Sequence, residues 1–355
     1  MSARRPTSTA LITGGAGFVG TNLASRLVED GRRVVVLDDL SRPGVTQNLR
    51  WLRKTYGSRV RFERGDVRDR QALRRALAGV SEVYHLAAQV AVTTSLDAPV
   101  DDFRVNAEGT LMLLEELRRL DEAPFLLFTS TNKVYGSLPR LELVRKGGRW
   151  EPADPRIRRA GLSEDLPLDF CTPYGCSKGA ADQYVLDYAK SYGVPSVVFR
   201  MSCIYGPHQH GTEDQGWVAH FAIRALEGEP ITLYGDGAQV RDILYVEDLV
   251  EAMLHAREQV GRVAGHAFNM GGGPANAVSL LEVVELLGAL GSSVDVCFAD
   301  ERPGDQRYYV ANTARFARST GWRPSVEAHD GIERLHHWLA RNRSSSRTEL
   351  RAVAL

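Results

Sequence analysis

Ala10-Leu11-Ile12-Thr13-Gly14-Gly15-Ala16-Gly17-Phe18-Val19-Gly20 is a short apolar run that passes straight into glycines at 14, 17 and 20. The apolar run predicts a buried strand, and the glycines predict a tight turn whose backbone a bulky anion can approach closely. Thr21 to Asp30 then reads as a helix whose N-terminus faces that turn, which favours a pyrophosphate. The next apolar run, Arg33-Val34-Val35-Val36-Leu37, ends at Asp38-Asp39, about 20 residues further on. A carboxylate there suits a free ribose hydroxyl and repels a 2′-phosphate, so the order strand, glycines, helix, strand, acid predicts NAD over NADP. Arg42 is the nearby group able to accommodate a 2′-phosphate instead.

The same alternation continues outward. Val60-Arg61-Phe62-Glu63 leads to Gly65-Asp66-Val67 and a helix from Arg70 to Ala78, and Glu82-Val83-Tyr84-His85-Leu86 opens into Ala87-Ala88-Gln89. Small residues just past a strand let a ligand approach the sheet's carboxyl edge. Asp66 reads either as an adenine contact or as an ordinary turn acid. Asn106 to Leu120 reads as one amphipathic helix, Phe125 to Phe128 and Val194 to Arg200 as strands, and His266 to Gly273 as the last strand with its loop. Alternating strands and helices predict an α/β chain with a Rossmann-type, doubly wound parallel sheet and a smaller C-terminal α/β lobe. We expect residues 1–200 to form the dinucleotide-binding domain, completed by about 243–275. Residues 201–242 and 276–342 form the second lobe, and 343–355 a disordered polar tail. Ser279, with Glu282 three residues on, is a capping-box signature. Residues 137–170, rich in arginine and proline, read either as a functional lid or as a solvated excursion.

Thr172-Pro173-Tyr174-Gly175-Cys176-Ser177-Lys178 opens another helix, with proline in the first turn. Tyr174 and Lys178 then share one face, one turn apart, and an ammonium beside a phenol lowers the phenol's pKa toward a usable acid/base. The strand at 125–128 delivers Thr129-Ser130-Thr131-Asn132-Lys133-Val134-Tyr135-Gly136, which adds a hydroxyl to that pair. With these motifs in place the chain resembles the extended short-chain dehydrogenase/reductase family of nucleotide-sugar enzymes, over about residues 8 to 342. The resemblance implies that Thr131 orients the reacting hydroxyl, that Tyr174 is the acid/base, and that Lys178 lowers its pKa and binds the nicotinamide ribose. It implies cofactor contacts at Gly14, Gly17, Phe18, Val19, Gly20, Asp38, Asp39, Asp66, Val67, Leu86, Ala87, Ala88, Gln89 and Asn106, besides Tyr174 and Lys178.

Family dehydratases carry an Asp-Glu pair where this chain has Asn132-Lys133, and related decarboxylases carry a Glu at position 133. The resemblance therefore implies reversible hydride transfer with no bond lost, which is epimerisation. The run from Ser130 to Gly136 looks like the CDP-sugar 2-epimerases of the CDP-paratose/CDP-tyvelose type. So do the runs Cys171 to Lys178, Met201 to Pro207 and Gly211 to Phe221. A UDP- or GDP-sugar 4-epimerase, a net reductase and a cofactor-sensing protein are the alternatives. Expected substrate contacts are Thr131, Asn132, Ser202, His208, Gln215, Val218, Tyr234, Arg241 and Arg302. In the last two, guanidinium matches diphosphate oxygens. His208 and His210 with Glu213 and Asp214 offer metal-type donors, but the H-x-H spacing lacks a helix face, so this reads as a loop beside the sugar and no metal is expected.

Forty-four basic residues balance forty-four acidic ones, which leaves no electrostatic case for nucleic acid or an anionic membrane. No apolar run approaches a membrane span, and Met1 to Thr9 lacks a leader's apolar core. The four cysteines form neither a metal cluster nor a disulfide framework, so a cytoplasmic protein is expected. Family relatives pair through two helices, here Asn106 to Leu120 and Tyr174 to Tyr192, so a homodimer is expected.

Overall fold

The structure, a computed structural model, describes residues 8–292, 294–302 and 304–353, the last of these as backbone only from residue 343. Its centre is a seven-stranded parallel sheet. β1 (Thr9–Thr13) lies between β2 (Arg33–Asp38) and β4 (Glu82–His85). β3 (Val60–Arg64) extends the β2 side, while β5 (Phe125–Thr131), then Ser196–Met201, then Ala267–Met270 extend the other. The chain reverses its direction of winding between β1 and β4, and that reversal opens a crevice at their carboxyl ends.

Period-two alternation places the two cores. Ala10, Ile12, Val34 and Val36 point to one face, where they meet Leu23 and Leu27 of helix Phe18–Glu29 and Leu249 and Met253 of helix Val246–Glu258. Leu11, Val35, Leu37 and Phe128 point to the other, against Leu113 and Leu117 of helix Gly109–Leu117 and Val185 of helix Thr172–Tyr192. Near-continuous apolar strands are what a sheet buried on both faces requires.

The smaller lobe is built around Val240–Tyr245, which pairs in parallel with Cys203–Tyr205 and Tyr308–Tyr309 and antiparallel with Ala277–Ser279. Ile231–Tyr234 pairs with Val296–Ala299 beside it. The capping box forms: Ser279 Oγ accepts from Glu282 N at 3.2 Å, and Glu282 Oε2 accepts from Ser279 N at 2.7 Å.

Three local readings change. The single helix expected from Asn106 is instead a wide π-turn at Arg104–Glu108 followed by Gly109–Leu117. Asn106 hydrogen-bonds outside its own helix, and such turns accompany functional positions. Residues 137–170 are a folded wall of the smaller lobe. Hairpin Leu143–Lys146/Arg149–Pro152 is tied down by Trp150 N donating to Ala238 O at 2.9 Å and by Arg149 on the Glu282 carboxylate at 3.1 Å. Leu138, Leu141 and Leu162 of this segment pack with Tyr308 and Tyr309. Finally, helix Ala328–Val353 runs on through the segment read as a tail, whose last two residues lie outside the described ones.

Candidate active site

A cleft of about 440 Å³ lies at the carboxyl ends of β1, β2 and β4. Its floor is the glycine turn. Gly14 has φ +65°, and a Cβ there would stand 2.8 Å from Ala87 N; a Cβ on Gly20 would stand 2.6 Å from Gly14 O. Only glycine lets these segments close up and keep their amides turned toward a phosphate. No side chain caps helix Phe18–Glu29 at Gly17, so its first amides and the positive end of its dipole serve the cleft. Asp38 ends β2, with Oδ2 accepting from Ala16 N at 3.0 Å and Oδ1 from Leu40 N at 2.9 Å. Burial pushes its carboxyl pKa up, against the pull of those amides.

Gly14, Gly17 to Gly20, Asp38, Asp39, Asp66, Val67, Leu86 to Gln89, Tyr174 and Lys178 all line this cleft. Asn106 does not. Its amide nitrogen donates to Gln89 O at 3.0 Å and its oxygen accepts from Gln89 N at 2.9 Å, so it braces the cleft wall from behind. The Asp66 carboxylate is paired with Arg68, at 2.9 Å to Nε. Arg42 extends across the cleft mouth, and its guanidinium donates to Gln215 Oε1. Ser130 Oγ, 2 % exposed, and Gln89 Oε1 are buried without a hydrogen-bond partner, and both residues line the cleft. Buried polar atoms left open at a cleft wall, with a glycine cradle and a terminal acid, fit a dinucleotide.

Tyr174 sits in the first turn of helix Thr172–Tyr192. Its amide donates to Ser95 Oγ at 3.2 Å, so a serine from helix Val92–Asp97 holds the start of this helix. Burial pushes the Tyr174 phenol up to about 12; the Thr131 hydroxyl and the Arg42 guanidinium pull it down, and Asp102 pushes it further up. The lysine-driven lowering expected from the one-turn spacing is therefore not what dominates. Lys178 lies 3 % exposed, with Nζ 4.2 Å from the centre of the Phe128 ring. Burial pushes its pKa down to about 7, against the pull of Asp182 and Asp102. Asp102, which the sequence motifs did not single out, is 1 % exposed and accepts from Asn106 Nδ2 at 3.2 Å and from the Ser177 hydroxyl. A buried carboxylate beside the Tyr/Lys pair is a strong electrostatic lever.

The residues expected at the substrate separate into groups. Thr131 Oγ1 accepts from Lys133 N at 3.2 Å at the end of β5, beside Tyr174. Asn132, Lys133, Arg241, Asp305 and Gln306 converge: Arg241 Nη2 donates to Asp305 Oδ1 at 2.7 Å. Arg302 lies over the Tyr234 ring at 3.7 Å and donates to Glu213 O at 3.1 Å. Ser202 is turned to Asp242 O, at 2.9 Å. Val218 is buried in the smaller lobe's core. His208 packs between Trp51, at 4.3 Å, and Trp338, at 5.2 Å, away from the cleft lining. His210 Nε2 lies 3.3 Å from Asn48 Oδ1, and the amide nitrogen of the same Asn48 donates to His208 O at 3.1 Å, while Glu213 accepts from the Tyr234 hydroxyl.

Comparison with known proteins agrees with this geometry. Residues 10–271 match the NAD dependent epimerase/dehydratase family. The chain is 42% identical over 337 residues to the CDP-paratose 2-epimerase of Salmonella typhi, covering 92% of this chain and 98% of that one. It is 35% identical over 347 residues to a dTDP-glucose 4,6-dehydratase of Streptomyces griseus, covering 95% and 96%. Among solved structures it matches the UDP-glucose 4-epimerase of Thermotoga maritima with UDP-glucose (TM-score 0.81, 28% identity, 94% and 99% covered). It likewise matches that of Thermus thermophilus with NAD (TM-score 0.77, 33% identity, 93% and 98% covered). With a dinucleotide cleft, a buried Tyr/Lys pair and these matches, the chain belongs to the NAD dependent epimerase/dehydratase family, as an enzyme whose cofactor is NAD.

Proposed function

We propose that this enzyme inverts C2 of a CDP-hexose of the CDP-paratose/CDP-tyvelose type through a transient 2-ketosugar. The observation that carries the reading is the identity of the two residues after Thr131. Eliminating water from a hexose needs an acid and a base besides the tyrosine, and positions 132 and 133 are an amide and an ammonium, both bound to neighbouring protein groups. That leaves Tyr174 and Thr131 as the proton-handling pair, suited to oxidation and re-reduction of one carbinol. The 42% identity to a CDP-paratose 2-epimerase supports C2 of a CDP-sugar as the position.

In this reading Thr131 holds the C2 hydroxyl and Tyr174, as phenolate, accepts its proton. NAD, when bound, supplies the hydride acceptor and, when oxidised, a positive charge that favours the phenolate. Tyr174 returns the proton once the carbon is reduced from the opposite side. Presenting the other face requires the sugar to turn while the diphosphate stays fixed, the role assigned to Arg241 and Arg302. Lys178 orients the cofactor beside Tyr174, and the buried cleft keeps water from the ketone.

Proton NMR of the purified protein with CDP-paratose, CDP-glucose and UDP-glucose in D₂O tests this. Inversion at C2 of a CDP-sugar without deuterium at C2 is the expected result. Inversion at C4 of UDP-glucose would instead move the enzyme to the 4-epimerase reading. No inversion of any of the three sugars would overturn the substrate assignment.

A further inference from the structure

The two positions that distinguish this chain from the dehydratases are not idle. Asn132 Nδ2 donates to Gln306 Oε1 at 3.1 Å, and Gln306 Nε2 in turn donates to Gly136 O at 2.6 Å. Lys133 Nζ donates to Gly304 O at 3.1 Å and Asp305 Oδ1 at 3.4 Å. The same Asp305 oxygen accepts from Arg241 at 2.7 Å and from Gln306 N at 2.9 Å. Asp305 N donates to Arg302 O at 3.2 Å, which ties in the other arginine of the proposed diphosphate site. Burial pushes the Asp305 carboxyl up, yet Arg241 and Lys133 outweigh it and hold it below the ordinary range, so it stays a carboxylate between two cations.

The run Gly304–Gln306 is gripped from its other side as well. Gly304 has φ +70°, and a Cβ there would stand 2.8 Å from Thr172 Cγ2, two residues before Tyr174. The run thus lies between the end of β5 and the mouth of the catalytic helix. One carboxylate shared by Lys133 and Arg241 leaves the trio with one net positive charge. It also fixes the plane of a guanidinium that must meet phosphate oxygens in a forked geometry.

We propose that Asn132 and Lys133 are positioning residues for the substrate's diphosphate: they clamp Gly304–Gln306 and, through Asp305, aim Arg241. The proposal rests on the nucleotide-sugar reading above. It explains why an amide and an ammonium stand where elimination chemistry needs carboxylates. A glutamate at 133 would face Asp305 as a like charge, and an aspartate at 132 would give Gln306 Oε1 no donor. The same two positions therefore trade elimination chemistry for a rigid diphosphate mount.

The test is calorimetric titration of the NAD-loaded protein with CDP, UDP and dTDP. Wild type, Lys133→Met, Lys133→Arg and Gly304→Ala are compared, with bound NAD and melting midpoint monitored in each. Loss of one charge-assisted contact to a guanidinium-bearing loop weakens nucleoside diphosphate binding about tenfold or more in Lys133→Met. Lys133→Arg, which still offers Asp305 a cation, recovers most of it. Gly304→Ala weakens binding with no charge altered, and none of the three changes the NAD content. With the nucleotide-sugar that the enzyme inverts, KM rises in Lys133→Met by more than kcat falls. Equal affinity in Lys133→Met and wild type would overturn the positioning role alone, as would a fall in kcat at constant KM. A wild type that binds none of the three diphosphates would overturn the nucleotide reading beneath it.

Discussion

Replacing Lys178 by methionine should make the protein more stable at neutral pH while abolishing its activity, and the gain should fade as pH rises. Lys178 is 3 % exposed, and burial holds its pKa at about 7, against an ordinary 10.5. The unfolded chain therefore binds this proton more tightly than the folded one. Below about pH 7 both states carry the proton and the cost of burying the charge is fully present. Between about 7 and 10.5 the folded state has released it and the unfolded state has not, so wild-type stability climbs with pH. The gap of 10.5 − 7 = 3.5 units, at about 1.36 kcal/mol per unit, sets a ceiling of about 5 kcal/mol on that climb. Methionine keeps the length of the side chain. It forfeits the contact with the Phe128 ring, which is worth about 0.5–1 kcal/mol, and leaves Asp102 and Asp182 with one cation fewer. The net gain at about pH 6.5 is then roughly 1–4 kcal/mol, the range seen when buried ion pairs give way to apolar packing. Urea unfolding of both proteins, at matched cofactor content between about pH 6.5 and 9.5, measures the difference directly, because titrating groups that do not interact with Lys178 cancel. A difference that stays flat across that window, or grows with pH, would refute the assignment of a buried, proton-poor lysine.

Tyr174→Phe should lower turnover about 10²- to 10⁴-fold while NAD stays bound, read as cofactor absorbance after gel filtration. Gly20→Ala puts a Cβ 2.6 Å from Gly14 O, and should cost NAD retention and melting temperature together; a variant that keeps full cofactor would show that the turn has room to give. Phe103, Val100 and Leu96 are exposed on the short helices that lead into the π-turn, and Tyr184 on helix Thr172–Tyr192. If a second copy covers them, Phe103→Glu should shift the protein toward monomer in sedimentation, and an unchanged mass would refute that pairing.

What the sequence disclosed, it disclosed through local pattern. β1, its glycine turn and helix Phe18–Glu29 are contiguous, and their alternation and turn chemistry are written within about 20 residues. The parallel order came from the strand-helix alternation, because right-handed crossovers leave few other arrangements. What stayed hidden depends on partners far apart in the chain. Ser95 meets Tyr174 across 79 positions, and Asn132 meets Gln306 across 174. The fold of residues 137–170 was hidden for the same reason: Arg145, Arg149 and Trp150 face Asp236, Ala238 and Glu282, so a polar composition that resembled a loop is a docked wall.

The Tyr174–Lys178 pair shows why spacing alone misjudges electrostatics. One helical turn puts both residues on one face, and an isolated pair of that kind would lower the phenol. The chain, however, packs this face against β5 and the helices at 92–103, and exclusion of water acts on both groups in opposite senses. It raises the acid toward its neutral phenol and lowers the base toward its neutral amine. Asp102 reinforces the first effect and opposes the second. The two groups thus rest closer to neutrality than either would in water, and each becomes responsive to a charge brought into the cleft. A cationic nicotinamide, when bound, would favour the Tyr174 phenolate and disfavour the Lys178 ammonium, so the phenol proton is the one that cofactor binding would loosen. Asp102→Asn should accordingly lower both pKa values, and the acid limb of the pH–rate profile should move to lower pH. A limb that moves upward, or stays fixed, would mean that Asp102 acts only through its bonds to Ser177 and Asn106.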